Sequence, residues 1–348
     1  MSSKSWALYL LLSSFTLLTH AQHRSLRIME YNVENLFDTL HAAAHQDAEF
    51  TPQGNHQWGS ARYWAKLARL SKVIASAGGA TPVDLVALVE VENDSVVYDL
   101  THRTKLWHMG YEYVITHSAD VRGINVALLY LPHQFRLVAK DSLRIMPPTA
   151  QLRTTRDVLH VAGELVTGDT LDVFVCHLPS RRGGTPAQRY RALVAQRLRS
   201  AADSIISIRQ HPYLLLTGDF NGYYPESFLT ESLNVKLLGA PGSSRHASFS
   251  YLYLLTHNLR GRADVCGTYK FQGAWNQLDH FVVNGSFLSP SANLQVSSAS
   301  CRLVDFPFLL QPDKSGQGSV HPFRTYLGIY YQGGYSDHLP ILLNIEMK

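Results

Sequence analysis

Six segments of this sequence carry a carboxylate, an amide or an imidazole beside a predicted strand. The polar residues are Asn32 with Glu34, Glu90, His177, Asp219 with Asn221, Asp279, and Asp337 with His338. Each alone has a structural explanation, such as a turn residue, a solvated strand end or a satisfied core histidine. Because loops from one face of a sheet converge, six such groups together predict one catalytic site.

The residue types indicate which chemistry such a site performs. Carboxylates such as Glu34 and Glu90 are hard oxygen ligands that suit Mg²⁺ or Mn²⁺, and the histidines lack the spacing of a zinc site. The sequence has no Walker A loop, no Gly-x-Gly-x-x-Gly after a strand and no Gly-x-Ser-x-Gly. These absences argue against nucleotide-cofactor chemistry and against a nucleophile-elbow hydrolase.

The elements that must position these residues follow from the hydrophobic pattern. Residues 213–217 form a short apolar run without alternation, typical of a strand buried on both faces, and Gly218 permits a sharp exit before Asp219. Further strands are predicted at 25–31, 84–89, 111–116, 124–131, 135–143, 160–166, 171–176, 281–283 and 341–345, and helices at about 60–77, 94–105 and 185–209. Strands outnumber helices, and hairpins mix with helical crossovers, so the predicted fold class is α+β with mixed sheets.

Composition and charge are those of a globular protein. Of 348 residues, 45% are hydrophobic and 17% charged, which fits a sizeable core. Residues 1–21 have the pattern of a secretory signal, with Lys4 before an apolar run and Ala21 at the cleavage point. Without them 30 basic and 27 acidic residues remain, a net charge of +3 that is compatible with an anionic substrate. We expect one secreted or periplasmic domain, residues 22–348, that is monomeric and has no stable membrane insertion.

Three cysteines, Cys176, Cys266 and Cys301, leave at least one thiol unpaired. Cys176 lies in an apolar strand pattern and is expected to behave as a small buried hydrophobe. Cys266 and Cys301 could pair in an oxidising compartment, and the sequence leaves this open.

The ordered motifs resemble those of the exonuclease–endonuclease–phosphatase superfamily of metal-dependent phosphoesterases. The matching pieces are YNVENLF at 31–37, VEVE at 89–92, CHLPS at 176–180, GDFN at 218–221, QLDH at 277–280 and SDHLP at 336–340. The stretch GTYKFQGAW at 267–275 also resembles secreted bacterial members described as endonucleases. The resemblance spans residues 26–345 and implies a four-layer α/β/β/α sandwich of two mixed β-sheets, with the active site at one edge.

The resemblance also implies a metal-binding group. Glu90 would be the principal ligand of a Mg²⁺ or Mn²⁺ cofactor, with Glu34 close by and Asp337 assisting. The ion would stabilise the charge that develops on a phosphate oxygen.

A second group would handle protons and phosphate oxygens. By the same resemblance, Asp219 would orient and help deprotonate the attacking water, while Asn221 and Asn32 would bind the phosphate or hold Asp219. His338, oriented by Asp279, would act as an acid, a base or a cationic phosphate clamp. His177 would donate a hydrogen bond to a non-bridging oxygen.

Substrate contacts are the least specific part of the pattern. Arg122, beside the predicted strand 124–131, is a candidate phosphate contact, and Tyr269 and Lys270 are further candidates. Arg181 and Arg182 could touch a polyanion.

The leading prediction is a secreted, metal-dependent phosphodiesterase that acts on nucleic acid as an endonuclease. The alternative is a lipid or inositol-phosphate phosphoesterase, such as a sphingomyelinase, although no apolar hairpin clearly built for membrane docking is evident in the sequence. A non-catalytic binding protein on the same fold is disfavoured, because every aligned catalytic position holds a competent side chain.

Overall fold

The predicted apolar runs form strands, and the long amphipathic segments form helices. The computed structural model describes residues 24–147, 149, 153–238, 248–313 and 319–348, so the expected signal segment lies outside the described residues. The helices are α1 (Ser60–Gly78), α2 (Asp94–His102) and α3 (Gly184–Ile208). The strands are β1 (Arg24–Leu36), β2 (Leu85–Val91), β3 (Glu112–Ile115), β4 (Asn125–Tyr130), β5 (Phe135–Leu143), β6 (Val158–Leu165), β7 (Thr170–His177), β8 (Tyr213–Asp219), β9 (Val235–Leu237), β10 (Leu252–Leu254), β11 (Tyr269–Phe271), β12 (Ala274–Asn276), β13 (Asp279–Asn284), β14 (Leu294–Gln295), β15 (Cys301–Leu303), β16 (Leu310–Pro312), β17 (Val320–Pro322), β18 (Tyr326–Leu327), β19 (Tyr330–Tyr331) and β20 (Ile341–Met347).

Two mixed sheets form the centre of the fold. The first has the strand order β14-β20-β1-β2-β4-β3, with β15 also paired to β20, and the second has the order β5-β6-β7-β8-β13-β10-β9. At the middle of each sheet lies a parallel pair, β1 with β2 and β7 with β8, and most other neighbours are antiparallel. The predicted α+β class with mixed sheets is therefore confirmed.

Alternating burial along the strands explains the four layers. In β8, Leu214 and Leu216 pack with α3 on the outer face of the second sheet, whereas Leu215 belongs to the core between the two sheets. On the other outer side, α1 adds Leu67 and Leu70 to the core of the first sheet. The order of layers is helix, sheet, sheet, helix, as the resemblance implied.

Several element ends differ from the sequence predictions. Strand β1 continues to Leu36, and its pairing with β2 shifts register between Asn32 and Leu36. Helix α2 ends at His102, three residues before the predicted end, and Asn93 caps its first turn by accepting a hydrogen bond from the Val96 amide at 3.1 Å. The sequence does not predict such ends, because neither an isolated polar residue nor a positive φ angle changes the periodic hydrophobic pattern.

The three cysteines are free in the structure, so Cys266 and Cys301 do not form a disulfide. Cys176 is buried in its strand, as expected for a small hydrophobe. None of the described helices is both long enough and apolar enough to cross a bilayer.

Candidate active site

The ends of the central strands open into a cavity of about 890 Å³. Nine of the twelve predicted site residues line it: Glu34, Glu90, Arg122, His177, Asp219, Asn221, Tyr269, Asp337 and His338. Asn32 and Asp279 are buried directly behind this surface and are hydrogen-bonded to residues that line it. The structure therefore brings eleven of the twelve residues together from segments that are far apart in sequence.

Three of these residues form a row across the second sheet. His177 pairs with Asp219 across β7 and β8, and Asp219 pairs with Asp279 across β8 and β13. Since neighbouring strands lie about 4.8 Å apart, the backbone hydrogen bonds of the sheet fix the lateral spacing of the three side chains. Polar residues at strand ends predict a site in this chain because the sheet register places them side by side.

His338 is held by Asp279, whose Oδ2 lies 2.7 Å from Nδ1 of the imidazole. Burial opposes protonation of this histidine, but the carboxylates of Asp279, Asp219 and Asp337 outweigh it and raise the pKa of His338 to about 10. The ring of Tyr269 packs on the imidazole with 4.9 Å between centroids. At neutral pH His338 is therefore a fixed imidazolium that presents its Nε2–H group to the cavity.

Asp219 is buried and accepts hydrogen bonds on both oxygens. The main-chain N–H of Asn221 donates to Oδ1 at 2.8 Å, and the side-chain amide of Asn32 donates to Oδ2 at 3.1 Å. Burial and the neighbouring Asp279 raise the pKa of Asp219 to about 7, against the opposing effects of His338 and the Asn221 amide. A carboxylate that titrates near neutrality is suited to accept a proton from water.

The imidazole of His177 lies between two carboxylates. Its Nε2 is 3.7 Å from Oε1 of Glu90 and 3.7 Å from Oδ2 of Asp219, and its buried Nδ1 has no partner among the described residues. Burial, and then the positive charges of Arg156 and Arg122, hold the pKa of His177 well below its usual range. His177 is therefore neutral and offers a hydrogen-bond donor without a charge.

Glu90 has the properties of a metal ligand. The backbone of Glu90 has a φ of 67°, which turns the side chain out of the β2 register and into the cavity. Oε2 accepts a hydrogen bond from the Asn35 amide at 2.9 Å, whereas Oε1 accepts none from the described residues. A hard anionic oxygen with free lone pairs fits Mg²⁺ or Mn²⁺.

Glu34 also lines the cavity, but its carboxylate is more fully engaged. It accepts hydrogen bonds from the Thr325 amide at 2.6 Å and the Tyr326 amide at 3.1 Å. Burial and the nearby Asp337 raise the pKa of Glu34 to about 7, while Lys66 and Arg324 oppose the rise. Glu34 thus ties the 325–326 backbone to β1 and has fewer lone pairs to offer a cation than Glu90.

Two basic residues near these carboxylates were not predicted from the sequence. Arg324 donates to Asp337 at 2.7 Å, lies 3.7 Å from Glu34 and lines the cavity. The ammonium of Lys66 is buried in α1 and donates to the main-chain oxygens of Glu34 at 3.3 Å and of Tyr335 at 2.7 Å. Arg324 lies in a loop-rich stretch without a strand pattern, and Lys66 breaks the apolar face of α1, which is the one signal that could have indicated it.

Lys270 is the predicted site residue that lies away from the cavity, so the structure does not bring it together with the other eleven. Its ammonium is 3.3 Å from Asp264 and 3.6 Å from Asp313, and it donates to the Val320 carbonyl at 2.8 Å. Successive residues of the β11 strand point to opposite faces, so Tyr269 faces His338 whereas Lys270 faces away. Lys270 holds the loop segments around it together.

Apolar side chains flank the mouth of the cavity. The β18–β19 hairpin exposes Leu327, Ile329 and Tyr330, and the β11–β12 hairpin exposes Phe271. Phe271 and Gly328 line the cavity itself. The sequence pattern did not indicate this exposed apolar hairpin, because the two strands of the 326–331 segment are only two residues long.

Comparison with known proteins agrees with this architecture. A family model described as the Endonuclease/Exonuclease/phosphatase family matches residues 27–347. No curated protein sequence matches the chain.

Solved structures share the fold at low sequence identity. TDP2 of D. rerio complexed with single strand DNA product is 16% identical, with a TM-score of 0.54 and coverage of 92% of this chain and 98% of that chain. The human Nocturnin catalytic domain with bound sulfate anion is 17% identical, with a TM-score of 0.52 and coverage of 93% and 95%. An endonuclease/exonuclease/phosphatase family protein from Bacteroides thetaiotaomicron is 15% identical, with a TM-score of 0.55 and coverage of 94% and 99%.

Proposed function

Because the chain belongs to the endonuclease/exonuclease/phosphatase family of metal-dependent phosphoester hydrolases, we propose that it cleaves phosphodiester bonds in nucleic acids. One observation carries the proposal: a carboxylate, a neutral imidazole and an imidazolium–carboxylate pair surround one cavity. Such a set can accept a proton from water and neutralise a phosphate in the same place.

In this proposal Glu90 would hold the divalent ion, and Glu34 and Asp337 would add negative charge around it. When bound, the ion would stabilise the charge that develops on a phosphate oxygen. The protein's own contribution is to keep one carboxylate oxygen of Glu90 free and directed at the cavity, through the Asn35 amide and the turned backbone.

Asp219 takes the proton of the attacking water in this mechanism. Asn32 and Asn221 fix the orientation of its carboxylate, and the raised pKa brings its basicity close to neutral pH. His338 keeps its proton and donates a charged hydrogen bond to the phosphate, while His177 donates a neutral one.

The proposal of nucleic acid as substrate rests on charge and on the neighbours in fold. Arg122, Arg181, Arg182 and Arg324 line the cavity and would meet a polyanion. The likeness to a TDP2 structure with a single strand DNA product, and to a Nocturnin domain with a sulfate anion, supports the same direction.

A direct test is incubation of the purified protein with supercoiled plasmid, a single-stranded oligonucleotide and an RNA oligonucleotide. We expect cleavage with Mg²⁺ or Mn²⁺ and none with EDTA. If bis-p-nitrophenyl phosphate is hydrolysed but no nucleic acid is cut, the proposed substrate class is wrong. If none of the four is hydrolysed with either metal, the binding-protein alternative is favoured.

The apolar hairpins support a second candidate, an amphiphilic phosphoester substrate. Leu327, Ile329 and Tyr330 are exposed beside the cavity, where they would contact the apolar part of a lipid. Release of phosphocholine from sphingomyelin vesicles, with plasmid DNA left intact, would favour this candidate over the nuclease.

We also propose that residues 1–21 direct export and are removed. Expression in a host with a secretory pathway, followed by intact-mass measurement of the exported protein, tests this. We expect a chain that begins at Gln22, whereas a full-length chain retained in the cytoplasm would contradict it.

A further inference from the structure

Glu30 is a charged residue type at a fully buried position between the two sheets. It lies in β1, two residues before Asn32, and therefore points to the same face of the strand, toward the second sheet. Its side chain is fully buried, and neither carboxyl oxygen has a hydrogen-bond partner among the described residues. An ionised carboxylate in such a place would be strongly destabilising.

The group that faces Glu30 is the carboxyl group of Asp279. Asp279 uses Oδ2 for His338, and its Oδ1 is buried without a donor among the described residues. Strand β1 packs against β13, and Asn32, two residues further along the same face as Glu30, donates to Asp219, the sheet partner of Asp279. The unpartnered oxygens of Glu30 and Asp279 therefore lie in the same buried region between the sheets. Two carboxyl groups can share a hydrogen bond only when one of them holds a proton.

The electrostatics decide which of the two holds it. Burial, and then the negative charges of Asp279 and Asp219, raise the pKa of Glu30 well above its usual range. The thiol of Cys176 also lies close enough to be affected by Glu30, and burial raises the pKa of this thiol, so Cys176 offers Glu30 no positive counter-charge. Asp279, in contrast, is paired with the His338 imidazolium.

We propose that Glu30 is an un-ionised acid that donates a hydrogen bond to Oδ1 of Asp279, which extends the Asp279–His338 pair into a chain of three residues. Glu30 is a positioning residue, since it reaches the cavity only through Asp279. It fixes the rotamer of Asp279 and reduces the negative charge that this carboxylate presents to His338. The role in catalysis rests on the proposed function, whereas the protonation and the hydrogen bond do not.

The first test uses infrared spectroscopy on the protein without substrate. At pH 7 we expect a carbonyl band of a buried carboxylic acid in the wild type, and Glu30→Gln should remove it. If the spectra of the two proteins do not differ in this band, Glu30 is ionised and the proposal is overturned.

The second test uses the Nδ1–H proton resonance of His338, which reports the strength of its bond to Asp279. Glu30→Gln keeps an N–H donor and should leave the resonance near its wild-type position. Glu30→Met removes the donor, so Asp279 should bind the Nδ1–H group of His338 more strongly and the resonance should move downfield. Asp84→Asn is the matched control, because Asp84 is a buried carboxylate just before β2, at the end of the strand that lies away from the cavity. This change should not move the His338 resonance.

The kinetic consequence separates this inference from the proposed function. In Glu30→Met we expect the alkaline limb of the pH–rate profile to move to higher pH and kcat to fall about 10-fold, the equivalent of one neutral hydrogen bond. If Glu30→Met is folded but shows the wild-type resonance and profile, Asp279 has no bond from Glu30. If the protein cleaves no phosphodiester at all, the infrared and resonance results still decide the hydrogen bond.

Discussion

The second sheet presents His177, Asp219 and Asp279 within the hydrogen-bonded register, whereas the first sheet presents its two carboxylates, Glu34 and Glu90, by leaving it. His177, Asp219 and Asp279 are neighbours across β7, β8 and β13. Glu34 and Glu90 instead have φ angles of 52° and 67°, next to shifts in the pairing of β1, β2 and β4. The two halves of the cavity are thus built in different ways.

The difference matches the role proposed for each half. The residues proposed to bind and transfer protons need fixed mutual distances, which a sheet supplies through its strand spacing. A metal ligand needs an oxygen turned toward open space, and the left-handed backbone conformation achieves this at a cost of about 1–2 kcal/mol per residue. Hydrogen bonds offset that cost, from the Asn35 amide to Glu90 and from the Thr325 amide to Glu34.

The largest effect is expected from a change in the second sheet. Asp219→Asn removes the proposed base, so kcat for bis-p-nitrophenyl phosphate should fall by about 10²–10⁴-fold while the melting temperature changes little. The matched control is Asp172→Asn at the other end of β7, where Asp172 pairs with Arg209 at 2.9 Å. That change should lower the melting temperature and keep kcat. Wild-type turnover by Asp219→Asn would remove this residue from the mechanism.

The next effect concerns the first sheet. Glu90→Gln should raise the Mg²⁺ concentration needed for half-maximal activity by at least about 10-fold, because it weakens the free carboxylate oxygen. Glu92→Gln is the control, since Glu92 is buried in the same segment, accepts a bond from the Asp38 amide at 2.6 Å and does not line the cavity. Equal metal titrations of wild type and Glu90→Gln would contradict the ligand assignment.

The pH dependence of activity should report the protonation of two groups, Asp219 and His338. Asp219 accepts a proton only when ionised, so kcat/KM should rise about tenfold per pH unit up to about pH 7 and then level off. His338 donates only when protonated, so activity should fall as pH rises through about 10. His338→Gln should abolish the alkaline limb and, because the imidazolium holds the pKa of Asp219 down, should move the acid limb to higher pH. A profile without an inflection near pH 7 would exclude Asp219 as the base.

The smallest effect tests the backbone difference itself. At Glu90 the φ of 67° favours glycine, so Glu90→Gly should be more stable toward denaturant than Glu90→Ala by about 1 kcal/mol. At His177, in regular strand conformation, His177→Gly should instead be less stable than His177→Ala by about 0.5–1 kcal/mol. Differences of the same sign at both positions would show that the two sheets do not differ in strain.

The sequence predicted the second sheet of the site better than the first. The apolar runs at 213–216 and 173–176 lie just before Asp219 and His177, and such runs predict both the strand and its end. Glu34 and Glu90 are predictable as site residues, but the hydrophobic pattern does not indicate the positive φ angles that turn their side chains. Lys270 was assigned to the cavity because its neighbour Tyr269 belongs there, and alternation along β11 separates the two.

The parts missed from sequence depend on distant contacts. Arg324 becomes part of the site only because residues 324–326 lie against Glu34, and Glu30 only because β1 packs over β13. Neither contact is encoded in local spacing. The apolar hairpin at residues 326–331 was missed for a simpler reason, since strands of two residues are too short to show a pattern.

His177, Asp219 and Asp279 are directly paired across three neighbouring strands, and this pairing limits which insertions and deletions the protein can accept during evolution. Slippage of β8 by one residue would turn its carboxylate toward α3, and slippage by two would carry it about 6.6 Å along the strand. Insertions and deletions are therefore tolerable in the connecting loops but not inside β7, β8 or β13. Relatives of this enzyme should differ in loop length around an inner framework of constant strand length.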